Sequence, residues 1–415
     1  MVRRMQTDSS FGWRVVAGAF VLATFGWGLG FYGPPVYLHT VQEGRGWSVV
    51  LVSTAVTVHF LVGAVVVANL PALYRHFGLP AITKAGVVLL ALGVLGWAVA
   101  REPWQLLLAT FFSGAGWVAM GAAAVNAIIA PWFVAKRPAA LAMAYNGASI
   151  GGVIFSPLWV AAIGWVGFPM AALAIGVVMI ITIWLLADLV FSRKPDNTGE
   201  TTSVAGAPSL PGRKLWRDPR FLTLAAAMAL GLFAQIGLIA HLFSLLVPAL
   251  GDQGAGLLMG AATAAAIAGR TLVGWLMPAG SDRRLVACAS HGVQIAGSLA
   301  LILAAGDNLV LLVAGVLLFG AGIGNTTSLP PLIAQFEFAK EDVARVVPLI
   351  VAIGQGTYAF APATFGALRM LPPAEATPVF VAAAVVQGLA IAMFLWGRRA
   401  AAVETVFVGS AGRSL

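Results

Sequence analysis

Arg270 stands alone among apolar residues. It is the only charge from 257 to 277, inside the stretch AAAIAGRTLVGW (264–275). A run of about 20 apolar residues is long enough to cross a bilayer. A guanidinium inside such a run costs at least about 3 kcal/mol on insertion scales. Its planar fork of donors matches a carboxylate in two parallel hydrogen bonds, which a lysine could not reproduce. The chemistry expected of Arg270 is therefore capture of an anion. The alternative is a structural Arg, bonded to backbone carbonyls or snorkelling to an interface. Such an interface would lie roughly 10 Å away at 1.5 Å per residue.

Other polar groups occupy similar depths. His241 is the candidate for a titrating group, since an imidazole changes charge within the physiological range. His59 and His291 are weaker candidates, read as packing residues. Tyr32, Asn146, Ser149, Asn325, Gln355 and Tyr358 are neutral groups that could line a cavity or tie helices together. Tyr32, Asn325 and Tyr358 are preferred as binding partners of Arg270. Pro34 and Pro35 should kink the first span near one end. Gly147, in GASIGG (147–152), and the glycines of GAGIG (320–324) should permit close packing and sliding of helices.

The elements that must position these residues follow from composition. Sixty per cent of the 415 residues are hydrophobic and 9% charged, with a mean hydropathy of +0.93. Soluble domains carry roughly 25% charged residues, so the class is an all-α integral membrane protein. Twelve crossing segments are expected, near 13–37, 47–71, 81–100, 104–130, 138–164, 168–191, 220–248, 256–277, 285–305, 308–335, 343–369 and 376–397. The chain divides into a six-helix half over 1–191, a polar linker over 192–219, a second six-helix half over 220–397 and a tail over 398–415. The first span is read as uncleaved, because its apolar run is too long for a signal peptide.

Charge sets the orientation. All but four of the 24 Lys and Arg fall on one side of the twelve spans, which places both termini in the cytoplasm. The net charge of +9 is thereby topological, and no nucleic-acid partner is expected. Of the 15 acidic residues, Asp188 alone lies inside a span, about one turn from its end. A mid-membrane carboxylate, the usual partner of a cationic substrate, is missing. The single cysteine, Cys288, allows no intramolecular disulfide, and no metal-ligand spacing, phosphate loop or nucleophile elbow occurs. Neither enzyme activity, cofactor nor metal is expected.

The halves are weak repeats. SGAGW (113–117) corresponds to FGAGI (319–323), and Gly63 to Gly269, at an offset of 206 residues. Arg270 corresponds to Ala64, so the charge is present in one half only. Internal repeats of this kind are a transporter design, with substrate bound near the midplane between them.

Two stretches resemble a known family. DSSFGW (8–13) is similar to the signature that opens the first span of monocarboxylate transporters, through Asp8, Ser10, Phe11, Gly12 and Trp13. WFVAKRPAALAMAYNGASIGG (132–152) resembles that family's second signature through Phe133, Lys136, Arg137, Ala140, Ala144 and Gly147, departing at Ala135, Ala139, Ala142 and Asn146. The resemblance implies the major facilitator fold of two pseudo-symmetric halves, near the monocarboxylate and oxalate/formate branch. It also implies that Arg270 binds a substrate carboxylate. Animal members carry an Asp one turn earlier, where this chain has Ala266, and a Lys in the first span, where it has GFYGPP (30–35). The oxalate branch has a second basic residue near Ala361 or Pro362. One positive charge in place of two favours a monoanion.

The resulting expectation is a secondary transporter of a small organic anion, most simply a monocarboxylate, in the plasma (inner) membrane. Proton symport through His241 and anion exchange remain alternatives, as does export of hydrophobic anionic metabolites. A non-transporting sensor of the same fold is a further reading, against which the short tails count.

Overall fold

The computed structural model describes the backbone of residues 10–133, 136–193, 195, 215–278, 280–371 and 376–411. Asp8 and Ser9, Ala135, most of the expected linker and the end of the tail lie outside the described residues. Those described form helices without a strand: α1 (Ser10–Gly30), α2 (Gly33–Arg45), α3 (Val49–Phe77), α4 (Leu79–Val99), α5 (Pro103–Ala119), α6 (Ala122–Ile129), α7 (Arg137–Val166) and α8 (Phe168–Leu186). A π-helical turn, Ala187–Phe191, extends α8. There follow α9 (Pro219–Leu276), α10 (Arg283–Ala304), α11 (Leu309–Glu337), α12 (Lys340–Tyr358), α13 (Ala361–Leu368) and α14 (Thr377–Ala411).

Among the described residues, eleven helical stretches are long and apolar enough to cross a membrane. They supply twelve crossings because α9, 58 residues long, is two spans joined at Gly251, whose backbone turns to φ +66°. Only glycine adopts that conformation cheaply. Three other spans are jointed. The first breaks at Phe31–Tyr32, with Pro34 and Pro35 in the first turn of α2, where a missing N–H costs nothing. The fourth divides into α5 and α6, and the eleventh into α12 and α13. Caps define other starts: Ser48 accepts from the Leu51 amide, Asn308 from that of Leu311, and Asp282 from those of Arg284 and Leu285. Trp165 and Trp275, 88% and 85% exposed, belong to an apolar surface that water would penalise and lipid accepts.

The chain forms two compact units. The first comprises Met1–Thr201 with Leu242–Gly260, the second Thr202–His241 with Ala261–Leu415. Within the first, α7 lies on α1 through backbone approaches: a Cβ on Gly147 would strike the Phe20 carbonyl, and one on Gly151 the Thr24 carbonyl. The region around the Gly251 joint packs on the same helix, with Gly256 against Ser156 and Val160, and Gly260 against Val153 and Pro157. Asp252, just past the joint, comes within 3.5 Å of His39 Nε2.

The repeat is visible in each unit taken by itself. Gly63 of α3 packs against Gly114 and Val118 of α5, and Gly269 of α9 packs against Ala321 of α11. Small residues at matched positions let the same pair of spans approach closely in both halves, as membrane helices do where van der Waals packing drives association.

Candidate functional site

Arg270 sits in the second arm of α9 and is half-buried. Two small residues on α11 set its place. The Ala321 carbonyl lies against Gly269, so the helices meet one residue before the guanidinium-bearing position. A Cβ on Gly324 would stand 2.8 Å from Arg270 Nε and 3.2 Å from Arg270 Cβ, so the arginine stem runs across the bare face of Gly324. The next residue, Asn325, is 2% exposed, and its Oδ1 accepts no hydrogen bond among the described residues. Arg270 of α9 thus lies against Gly324 of α11, the residue that precedes Asn325. Tyr358, at the end of α12, packs against the apolar cluster of Phe221, Met228, Leu232 and Ile350, as does Val273, one turn past Arg270. The glycine run 320–324 thus seats an arginine stem as well as permitting helices to pack closely.

His241 is fully buried and bonds through Nε2 to the Pro362 carbonyl at 2.9 Å. A carbonyl only accepts, so Nε2 carries the ring proton. The bond ties the first arm of α9 to the start of α13, beside the break in the eleventh span. A second proton could be taken only at Nδ1.

His59 and His291 are also buried and bond to backbone carbonyls. His59 Nε2 donates to the Gly30 carbonyl at 2.9 Å and Nδ1 meets Ser113 Oγ at 2.8 Å, while Ser113 also accepts from Trp97 Nε1. With Nε2–H committed to a carbonyl, Ser113 donates to Nδ1, giving a neutral, satisfied ring. His291 Nδ1 donates to the Ala287 carbonyl at 2.9 Å. Beside it, Gln387 donates to Gln294 at 2.6 Å and Gln294 to Thr326 at 2.9 Å, a buried chain linking α14, α10 and α11. In sequence, a lone amide or hydroxyl in an apolar span looks the same whether it binds substrate or a neighbouring helix.

In the first unit Tyr32 is buried and stands edge-on to Phe31, with ring centroids 5.0 Å apart. Its amide and that of Phe31 both bond to the Trp27 carbonyl, closing the turn between α1 and α2. Pro34, Pro35 and Gly147 are buried, the first two in the opening turn of α2 and the last at the α1–α7 crossing.

Charges at the span ends are more structured than the loop positions implied. Arg284 is 2% exposed. It donates through Nε and Nη2 to the two oxygens of Glu337 at 2.6 and 2.7 Å, and also to the Arg220 carbonyl and Thr223 Oγ1. This group joins α9, α10 and α11, and Gly397 of α14 closes over it. In the first unit Lys84 pairs with Asp188 at 2.5 Å, so the intramembrane carboxylate lies on the π-helical turn with a cation beside it.

Asp218, which precedes α9, titrates below the ordinary carboxylate value. Burial alone would raise it, but bonds from the Arg220 side chain and backbone amide outweigh that effect. Among the described residues no group of three or more His, Cys, Asp or Glu could hold a metal ion.

Comparison with known proteins agrees with this architecture. A protein named MFS-type transporter 1 from Ophiocordyceps sp. (strain BCC 1869) is 30% identical over 360 residues, covering 82% of this chain and 75% of its own. The MFS transporter asaE of Aspergillus flavus is 29% identical over 358 residues, covering 79% of this chain and 74% of its own. Among solved structures, the nucleoside transporter NupG superposes with a TM-score of 0.71 at 11% identity, over 94% of this chain and 99% of its own. A bacterial homologue of the human lysosomal transporter Spinster, in an inward-facing, unoccupied conformation, gives 0.65 at 16% identity, over 95% and 96%. The model of the Major Facilitator Superfamily matches residues 16–362. This chain is a membrane transporter of the Major Facilitator Superfamily and not an enzyme.

Proposed function

We propose that this transporter carries a small organic anion, a monocarboxylate in the first instance, by alternating access, with Arg270 pairing the carboxylate. The observation that carries the reading is the seat of Arg270 across Gly324 in a membrane-spanning helix. The chain has given up a side chain at 324 to lodge a guanidinium in a membrane-spanning helix. A carboxylate is the ligand whose two oxygens suit that group best. Carrying one positive charge at this position, in one half only, supports a monoanion, as in the monocarboxylate-like branch suggested by the two signatures. Asn325, Tyr32 and Tyr358 are proposed as neutral partners of the substrate.

Proton symport would use His241, protonated at Nδ1 while Nε2 keeps its bond to Pro362. The breaks at Phe31–Tyr32, ahead of Pro34 and Pro35, and at Ala359–Phe360 are proposed as gating joints, with Gly147 as a sliding contact. The asymmetry of Lys and Arg supports a plasma (inner) membrane protein with both ends, the segment 192–219 and the tail in the cytoplasm.

The test is thermal stabilisation of purified protein by a panel of mono- and dicarboxylates, with Arg270→Gln in parallel. Stabilisation by a monocarboxylate that disappears in a folded Arg270→Gln is the expected result. A variant that keeps the full ligand response would make Arg270 structural and overturn the reading.

A further inference from the structure

The first unit holds a cluster of rings that packing alone does not account for. Trp27 of α1 stands edge-on to Trp117 of α5 (centroids 6.4 Å, 79°) and to Tyr145 of α7 (6.3 Å, 87°). Phe31, one turn on, lies nearly parallel to Trp117 at 6.2 Å and tilted against Phe60 at 6.2 Å. Trp117 and Phe60 are buried, whereas Trp27, Phe31 and Tyr145 are only half-buried.

Helix α1 packs against α4, α5, α6, α7 and α8 and presents no large exposed apolar side chain, in contrast to α8 with Met170, Val178 and Leu185. On α7 the exposed apolar face carries Met143, Ile154 and Leu158. At 3.6 residues per turn, Tyr145 points roughly 180° away from Ile154. Tyr145 thus lies opposite the exposed apolar face of α7, and Trp27 lies on a helix that presents no such large side chain.

The same cluster offers hydrogen-bonding groups. The Tyr145 hydroxyl donates to the Ala122 carbonyl at 3.0 Å and accepts from Asn126 Nδ2 at 2.5 Å, which fixes the ring. Trp117 is 6% exposed, and its buried Nε1–H meets no acceptor among the described residues. A donor in that condition is costly until an acceptor reaches it.

We propose that the open faces of Trp27, Phe31 and Tyr145 bind a flat, conjugated ring of the substrate. The carried molecule is then an aryl or arylalkyl carboxylate and not a short aliphatic acid. Its charge rests on the anion reading given above, but its ring does not. Edge and face contacts between aromatic rings add to simple burial because of their quadrupoles, so a saturated ring of similar size should bind less well.

Equilibrium binding to purified full-length protein of phenylacetate, cyclohexylacetate and the uncharged phenylacetamide tests this without requiring a variant. The expected result is about fivefold tighter binding of phenylacetate than of cyclohexylacetate, the size of one ring contact. That preference should disappear in Trp27→Leu and persist in Tyr145→Phe. Equal binding of the two acids would overturn the ring proposal and leave the anion reading standing. Equal binding of phenylacetate and phenylacetamide, both ahead of cyclohexylacetate, would uphold the ring and overturn the anion. Failure of all three to bind would overturn both.

Discussion

Gly324 and Arg270 fit each other as groove and rod: the arginine stem occupies the space a side chain at 324 would need, 2.8 Å from a Cβ placed there. Gly324→Ala should therefore push the guanidinium aside and also press on the Ala266 carbonyl, 2.8 Å from the same Cβ. The expected outcome is a lower melting temperature together with carboxylate affinity reduced about tenfold, or roughly 1.4 kcal/mol. Ligand titration followed by thermal shift measures it. Unchanged affinity would mean that the stem has another route.

Arg284 and Glu337 make a different prediction. Breaking a buried ion pair by removing one partner costs about 3–5 kcal/mol, because the remaining charge is left without compensation. Glu337→Gln should lower the melting temperature strongly, and Arg284→Lys should not reproduce the wild type, since an ammonium cannot make the two parallel bonds. Replacing both with methionine should recover part of the loss, as apolar substitutes for a buried pair often do. Melting curves in detergent for the three variants decide it.

The Asp218 cap predicts a pH dependence. Its folded pKa lies below the ordinary value. Its contribution is therefore present in full above the unfolded carboxylate value, near 4, and is lost as pH falls through the folded value. Asp218→Asn should cost about 1 kcal/mol near neutral pH, with the gap to wild type closing only below about pH 4. Denaturation across that range would show it. A gap that closes as pH rises would contradict the assignment.

His241→Gln separates two forms of transport. Glutamine can still donate an amide N–H to Pro362, so the joint between α9 and α13 should survive. Under proton symport, anion uptake into proteoliposomes should lose its dependence on external pH while substrate binding persists. An unaltered pH profile would assign His241 to packing and leave exchange or uniport.

Much of this protein is legible one residue at a time. Membrane class, the number of spans, the halves and the isolation of Arg270 all follow from apolar runs and the cost of charge within them. A crossing segment satisfies its own backbone hydrogen bonds, so its existence depends on local composition and scarcely on its neighbours. Helix partners depend on something else. Arg284 lies just outside the span expected at 285–305, yet it is buried against Glu337, 53 residues away. Gly324, directly after the repeat signature, seats an arginine. Gln294, Thr326 and Gln387 were single polar residues until the packing of α10, α11 and α14 joined them. Composition along the chain determined which segments enter the bilayer. Only tertiary structure decided which faces meet, because lipid tails are as apolar as the helices and leave shape and hydrogen bonding to choose the partners.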